Sequence, residues 1–382
     1  QIGSGLSSTN DHSVSGYTIT TIICTNSSTT GTGTLSFESS PAWGTRNFNT
    51  VLWNGDGASS RDITGAGFNP DFVWIKKRQN DTKWHRIFDT VRGAGKVLYS
   101  NSGNGQATPT NELNGFINDG FNIGNASSVN DGGAGDTFAA WTWRAGGAAV
   151  NNTDGNTASV VSANVAGGFS IVTHVGNGQG AATIGHGLNG IPDMVITKSS
   201  SLFNDWGVAH VGMPNKIAYL QSANAAFSGG GSNGLAGYQS AMTSTTFGFT
   251  PGSNGQGVNN VNSNGQSYVA YCWKSIPGYS KFDSYVGNGS TNGPIVNLGF
   301  EPAFLMFKVV STGPGNWIMI DNKRATSNPR TPHLRANTNS QDDTGANEYV
   351  DFTSTGFQPK GVSNYNNNAL NQTYIYMAFA AE

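Results

Sequence analysis

Apolar and polar residues alternate along most of this chain in short runs, and the runs return in one order three times. Gly67–Arg78 reads GFNPDFVWIKKR, Gly187–Ser200 reads GLNGIPDMVITKSS, and Gly299–Ser311 reads GFEPAFLMFKVVS. Each copy has a glycine and an apolar residue, a polar step, a proline (Pro70, Pro192, Pro302), and an apolar run meeting a lysine (Lys76, Lys198, Lys308). Proline lacks the N–H that a strand interior needs and suits its first position. The two-residue strand period then places Phe72, Trp74 and Lys76 on one face and Val73 and Ile75 on the other. A recurrence fixes architecture before any local reading. At this length each copy is a whole domain.

The rest of each copy follows in register. The first spans 47–147, the second 169–278 and the third 279–382, with 148–168, rich in Asn, Ala and Gly, as a linker. WHRIF, DWGVA and NWIMI carry a tryptophan strand, aligning Trp84, Trp206 and Trp317. Asp89 and Asp321 end that strand, where the second copy shows Val211. The closing strands DTFAAWTWR, SYVAYCWK and TYIYMAFA align Trp143, Trp273 and Phe379. Large aromatics recurring through divergent copies read as core anchors. Residues 1–46 fit no copy. Their Tyr17–Cys24, YTITTIIC, predicts a strand, so the segment reads as a strand-bearing arm or remnant module. Helical periodicity is nearly absent, and strands every 8–12 residues or so predict sandwiches. The fold class is all-β, as three tandem β-sandwich domains of about seven to nine strands each.

Composition narrows the chemistry. Charged residues are 11 % of the 382, with 20 basic against 22 acidic, where an average domain has about 25 %. There is no basic surface to displace counterions from nucleic acid. The 20 Phe, 12 Tyr and 9 Trp argue against disorder. No apolar run approaches the roughly 18 residues of a membrane helix. Cys24 and Cys272 lie in strand-like runs and read as two buried thiols, with one disulfide between them as the alternative. The six histidines show no metal-ligand spacing and read as surface or turn residues. DxDxDG is absent, so Asp and Asn in the turns do not make a calcium loop of that kind. GNGQG at Gly176–Gly180 lacks the Lys-Ser/Thr and the helix of a phosphate loop. Acidic residues shared between copies are too few for the carboxylate pair of glycoside hydrolysis. No catalytic residue, metal or cofactor is expected.

The set SKFDSYVGNGS, GFEPAFLMFK, GNWIMIDNKR and TYIYMAFAAE, with GFNPDFVWIKKR and WHRIFDTVRGAGK in the first copy, resembles a repeated domain of unassigned function in tailed-bacteriophage virion proteins. It is similar above all to tail-fibre-like chains. The resemblance covers about 47–382 and implies a concanavalin-like or jelly-roll sandwich, with no binding residues to carry over. It implies a non-enzymatic structural or adhesion protein on the virion surface: tail fibre, appendage or capsid decoration. Expected partners are other virion proteins, further copies of the chain (a trimer among the arrangements) and a host glycan, with neither nucleic acid nor membrane. The alternative is a secreted carbohydrate-binding, lectin-like protein. Specificity belongs in loops that differ between copies, where Phe203, Phe227 and Tyr238 are the candidate ligand contacts. Phe227–Gly237 reads as a long exposed loop.

Overall fold

Every proline strand lies at the same place in a sheet, between the closing strand and the tryptophan strand. The structure is a computed structural model that describes residues 47–79, 82–133, 135–179, 181–228, 242–249, 261–345, 348–361 and 366–380. Tyr17–Cys24, Tyr238 and most of the expected 227–237 loop lie outside those residues. The chain is almost all β, 45 % strand and 1 % helix, in several antiparallel sheets.

The first copy holds β1 (Phe48–Asn54), β2 (Arg61–Thr64), β3 (Phe72–Lys77), β4 (Arg86–Asp89), β5 (Leu113–Ile117), β6 (Gly120–Ile123), the one-turn α1 (Ser127–Asn130) and β7 (Thr137–Trp143). Its main sheet runs β1-β7-β3-β4 and its small sheet β2-β6-β5. Next come β8 (Val150–Asn152) and β9 (Ser159–Asn164). The second copy then holds β10 (Phe169–Val175), β11 (Thr183–Gly185), β12 (Met194–Ser199), β13 (Gly207–His210), β14 (Lys216–Tyr219), β15 (Phe227–Ser228), β16 (Thr246–Gly248) and β17 (Ser267–Trp273). Its main sheet runs β15-β14-β13-β12-β17-β10-β9-β8, with β11-β16 beside it. The third copy holds β18 (Ser280–Val286), β19 (Val296–Asn297), β20 (Pro302–Val309), β21 (Ile318–Asp321), β22 (Leu334–Arg335), β23 (Tyr349–Thr353), β24 (Gly356–Lys360) and β25 (Thr373–Ala380). Its sheets are β18-β25-β20-β21-β22 and β19-β24-β23.

The two-residue period decides what each main sheet faces. In the first copy Val73, Ile75, Phe138 and Ala140 pack with Ile63 and Phe121 of the small sheet. Val172, Val195 and Ala270 do the same with Ile184 and Phe247 in the second. The opposite faces meet one another. Phe72, Trp74, Trp141 and Trp143 share a single buried cluster with residues such as Phe169, Trp273, Phe304 and Phe379. Phe48 stacks on Phe379 at 5.0 Å, Phe72 meets Tyr271 edge-on at 4.7 Å, and Trp143 lies 6.2 Å from Trp273. Burying such side chains is worth about 1.5–3 kcal/mol each. The copies therefore share a core, and residues 47–382 form one compact unit.

Four readings from sequence change. The segment 148–168 is more than a linking loop: β8 and β9 extend the second sheet, pairing Asn151 with Val160 and Val160 with Thr173. Trp84 is not the partner of Trp206 and Trp317. Ile75 pairs with Arg86, Thr197 with Gly207 and Phe307 with Ile318, so the residue before each is His85, Trp206 or Trp317. Matching aromatic to aromatic slipped the strand by one, which flips a side chain to the other face. Trp84 is 39 % exposed and His85 is fully buried. By the same register His210, not Val211, corresponds to Asp89 and Asp321. The described histidines are not surface residues either: His85, His174, His186, His210 and His333 are all buried, and His12 lies outside the described residues.

Candidate functional site

The chemistry-bearing side chains gather where one copy meets the next, and the meeting is cyclic. The Trp206 indole N–H donates to the Tyr99 carbonyl at 2.9 Å, and that of Trp317 to the Tyr219 carbonyl at 2.9 Å. At the third junction His85 Nε2 lies 3.1 Å from the Arg335 carbonyl. All three residues are anchored alike, their backbone N–H groups bonding the side-chain oxygens of Gln221, Asn337 and Asn101. A backbone bond repeats round the ring as well: Gln106 to Ser200 at 2.7 Å, Ala226 to Val310 at 3.2 Å, and Asp342 to Arg78 at 2.8 Å.

A third contact varies its chemistry in step. Asp89 holds Arg92 and accepts from the Tyr271 hydroxyl at 2.8 Å. Asp321 holds Arg324 and accepts from the Trp141 indole at 3.1 Å. The second copy has His210 and Met213 at these places, and the facing position in the third copy is Met377, which has no donor. His210 Nε2 turns instead to the Tyr376 carbonyl at 3.0 Å. Where the neighbour offers a donor the site is Asp with Arg; where it offers a thioether the site is His with Met. Burial pushes His210 down to about 4 and raises the Tyr271 phenol well above its usual range.

The recurring lysines lie inside their own copies. Lys76, Lys198 and Lys308 are fully buried. Lys198 Nζ donates to the carbonyls of Ser199 at 2.8 Å and Leu202 at 3.2 Å, and Lys308 Nζ to that of Gly315. Lys308 also lies 5.8 Å from the Trp317 ring. Burial brings Lys198 and Lys308 down to about 7. An amine at this poise can act as base or nucleophile, but each is buried and donates to backbone carbonyls of its own copy.

One open groove of about 740 Å³ lies between the first and second copies. Val91, Arg92, Lys96 and Gln106 form one side, and the β8–β9–β10 face the other. Its lining contains no carboxylate. A smaller hollow of about 360 Å³ lies by Arg78 and Asp342, whose charges pair at 2.7 Å. In the third copy Glu348 and Asp343 share Arg335, each at 2.8 Å, and Glu348 also lies 2.9 Å from His333. Though burial opposes it, the bonds from His333 and Arg335 bring Glu348 down to about 2. Among the described residues no group of three or more His, Cys, Asp or Glu could hold a metal ion. Cys272 is buried and free, its thiol pushed up by burial; Cys24 lies outside the described residues.

Of the aromatic candidates, Phe203 and Phe227 lie among the described residues, in different settings. Phe203 is 75 % exposed on the turn after β12, beside Gly103 of the first copy, where a Cβ would lie 3.1 Å from its ring. Phe227 sits in β15, half-buried, 4.9 Å from the Tyr219 ring. The groove was missed. Its signal was the β-branched run Ser159–Val165, SVVSANV, inside what looked like a linker.

A family model described as a domain of unknown function, DUF7483, matches residues 44–382. No curated protein matches the chain.

Proposed function

The chain belongs to the DUF7483 family, and we propose that it is a non-enzymatic structural and adhesion protein of a tailed-bacteriophage virion. In this reading each copy is a jelly-roll or concanavalin-like sandwich. The three together form a rigid head for a tail fibre, an appendage or a capsid decoration on the particle surface, held by other virion proteins. The observation that carries it is the closed cycle of contacts: of the residues best suited to chemistry, His85, His210, Asp89 and Asp321 all bond a neighbouring copy, and the three lysines are buried within their own. The 11 % charge leaves a surface that recognises by neutral hydrogen bonds. The test is proteomics and immunogold labelling of density-purified particles. The chain should be found on the particle exterior; its absence from particles and presence free in the medium would overturn the reading. The groove favours a second reading, a secreted carbohydrate-binding protein, which that same outcome would support.

A further inference from the structure

The junction between the first and second copies carries strands that the other two lack among the described residues. Here the second copy's main sheet carries β8 and β9 beyond β10. The corresponding strands β1 and β18 end their sheets among the described residues. The added strands extend the sheet past the area that the first copy covers. The uncovered face then looks across at Val91, Lys96 and Gln106. The groove therefore rests on strands that only this junction has among the described residues.

Its floor is a row across three strands. Asn151 pairs with Val160, and Val160 with Thr173. Neighbouring strands lie about 4.7–4.9 Å apart, so an amide, an isopropyl group and a hydroxyl stand side by side on one face. Val160 is 37 % exposed and Val175, two residues beyond Thr173, is 57 % exposed. Gln106 Oε1 accepts from Arg92 at 3.3 Å, and Gln106 lines the groove. Lys96 is exposed at the rim, while Arg92 is held by Asp89 at 2.5 Å. The volume falls in the range of about 300–1,000 Å³ usual for ligand sites.

We propose that this groove binds an oligosaccharide strand, with an acidic sugar unit at Lys96. The proposal rests on the adhesion reading and names its ligand class. Alternating donors and acceptors on a flat floor suit a chain of hydroxyls, and the two valines suit the C–H face of a pyranose ring. A peptide strand would instead need a free sheet edge and deep pockets for alternate side chains, and this floor is a sheet face with shallow apolar relief. An ammonium with no ion pair among the described residues, in a lining without carboxylates, favours carboxylate-bearing sugars and disfavours amine-bearing ones.

The test is titration calorimetry of the full chain with hexamers of galacturonate, alginate, cellulose and chitin, beside a neutral Ser/Thr hexapeptide. At least one acidic hexamer should bind, more weakly as salt rises. Lys96→Ala should weaken the acidic hexamer tenfold or so and leave any neutral one unchanged. Thr173→Trp, which fills the floor, should abolish binding of all, with an unchanged melting temperature. Binding that survives Thr173→Trp, no binding of any hexamer, or tighter binding of the peptide would overturn the proposal. If particles contain the chain and it binds none of these sugars, the groove reading alone falls; if particles lack the chain, the virion reading falls whatever the sugars do.

Discussion

His85 of the first copy and Arg335 of the third close the ring, the imidazole Nε2 lying 3.1 Å from the arginine's carbonyl oxygen. The other ring nitrogen, Nδ1, accepts from the Trp74 indole at 2.9 Å. Nε2 must therefore carry the proton, and a second proton on Nδ1 would face the Trp74 N–H. Burial and the Lys76 charge hold His85 well below the usual imidazole range. His85→Ala would leave the Trp74 N–H and the Arg335 carbonyl without this partner and open a hole between copies. It should cost about 2–5 kcal/mol. Trp84→Ala, by contrast, removes an exposed ring whose partner is Tyr99 at 5.2 Å, and should cost about 1 kcal/mol or less. Chemical denaturation of the two variants checks the register directly.

The Asp–Arg and His–Met junctions should be exchangeable as sets and not singly. Asp89→Asn leaves the Arg92 charge buried without its counter-ion, and breaking a buried pair in this way costs about 3–5 kcal/mol. Adding Arg92→Met and Tyr271→Met, with Asp89→His in place of Asn, reproduces the constellation of His210, Met213 and Met377. The triple variant should recover most of the loss. A mutant cycle should return coupling above about 1 kcal/mol, and additive losses would mean that the three residues act separately.

The buried lysines set the alkaline side of stability. Lys198 and Lys308 sit at about 7 when folded, against about 10.4 in an unfolded chain. Between those values the unfolded state binds more protons, so stability rises with pH from 7 toward 10 and is flat below 7. At pH 7 both amines therefore work against folding, by about 1.4 kcal/mol for each pKa unit that separates the two states. Lys198→Met with Lys308→Met should flatten the profile and raise stability at neutral pH. Melting temperatures read from pH 6 to 9.5, below tyrosine ionisation, check this.

On the acid side two kinds of group act in the same direction. His174 and His210 lie at about 4 when folded because burial disfavours their charge, so stability falls as pH drops from 6.5 to 4. Glu348, at about 2, contributes stability that is lost as pH falls from about 4.5 to 2. His174→Phe preserves the stack on Tyr268, at 5.2 Å, and should remove part of the first slope. Glu348→Gln should remove part of the second. Unfolding midpoints measured at pH 7, 4 and 2.5 separate the two.

The strands were legible because their alternation is a local property. Phe72, Trp74 and Lys76 fall on one face and Val73 and Ile75 on the other, as the period requires, and Trp143, Trp273 and Phe379 share a position. What escaped depends on neighbours distant in sequence. Nothing local says that Trp84 turns out and His85 in, because that choice is made by the Arg335 carbonyl, 250 residues away. The lysines were visible as a recurrence, but their burial is a matter of packing that the local pattern does not carry. The groove lies among Asn, Thr and Ser residues that look like any linker until β8 and β9 pair with β10.

The central claim is that three copies close into one unit, and calorimetric unfolding of the full chain tests it most directly. A shared core, with three kinds of contact at each of three junctions, predicts that the copies melt together. The van't Hoff enthalpy of that transition should equal its calorimetric enthalpy. Three separable transitions, each with about a third of the heat, would contradict it.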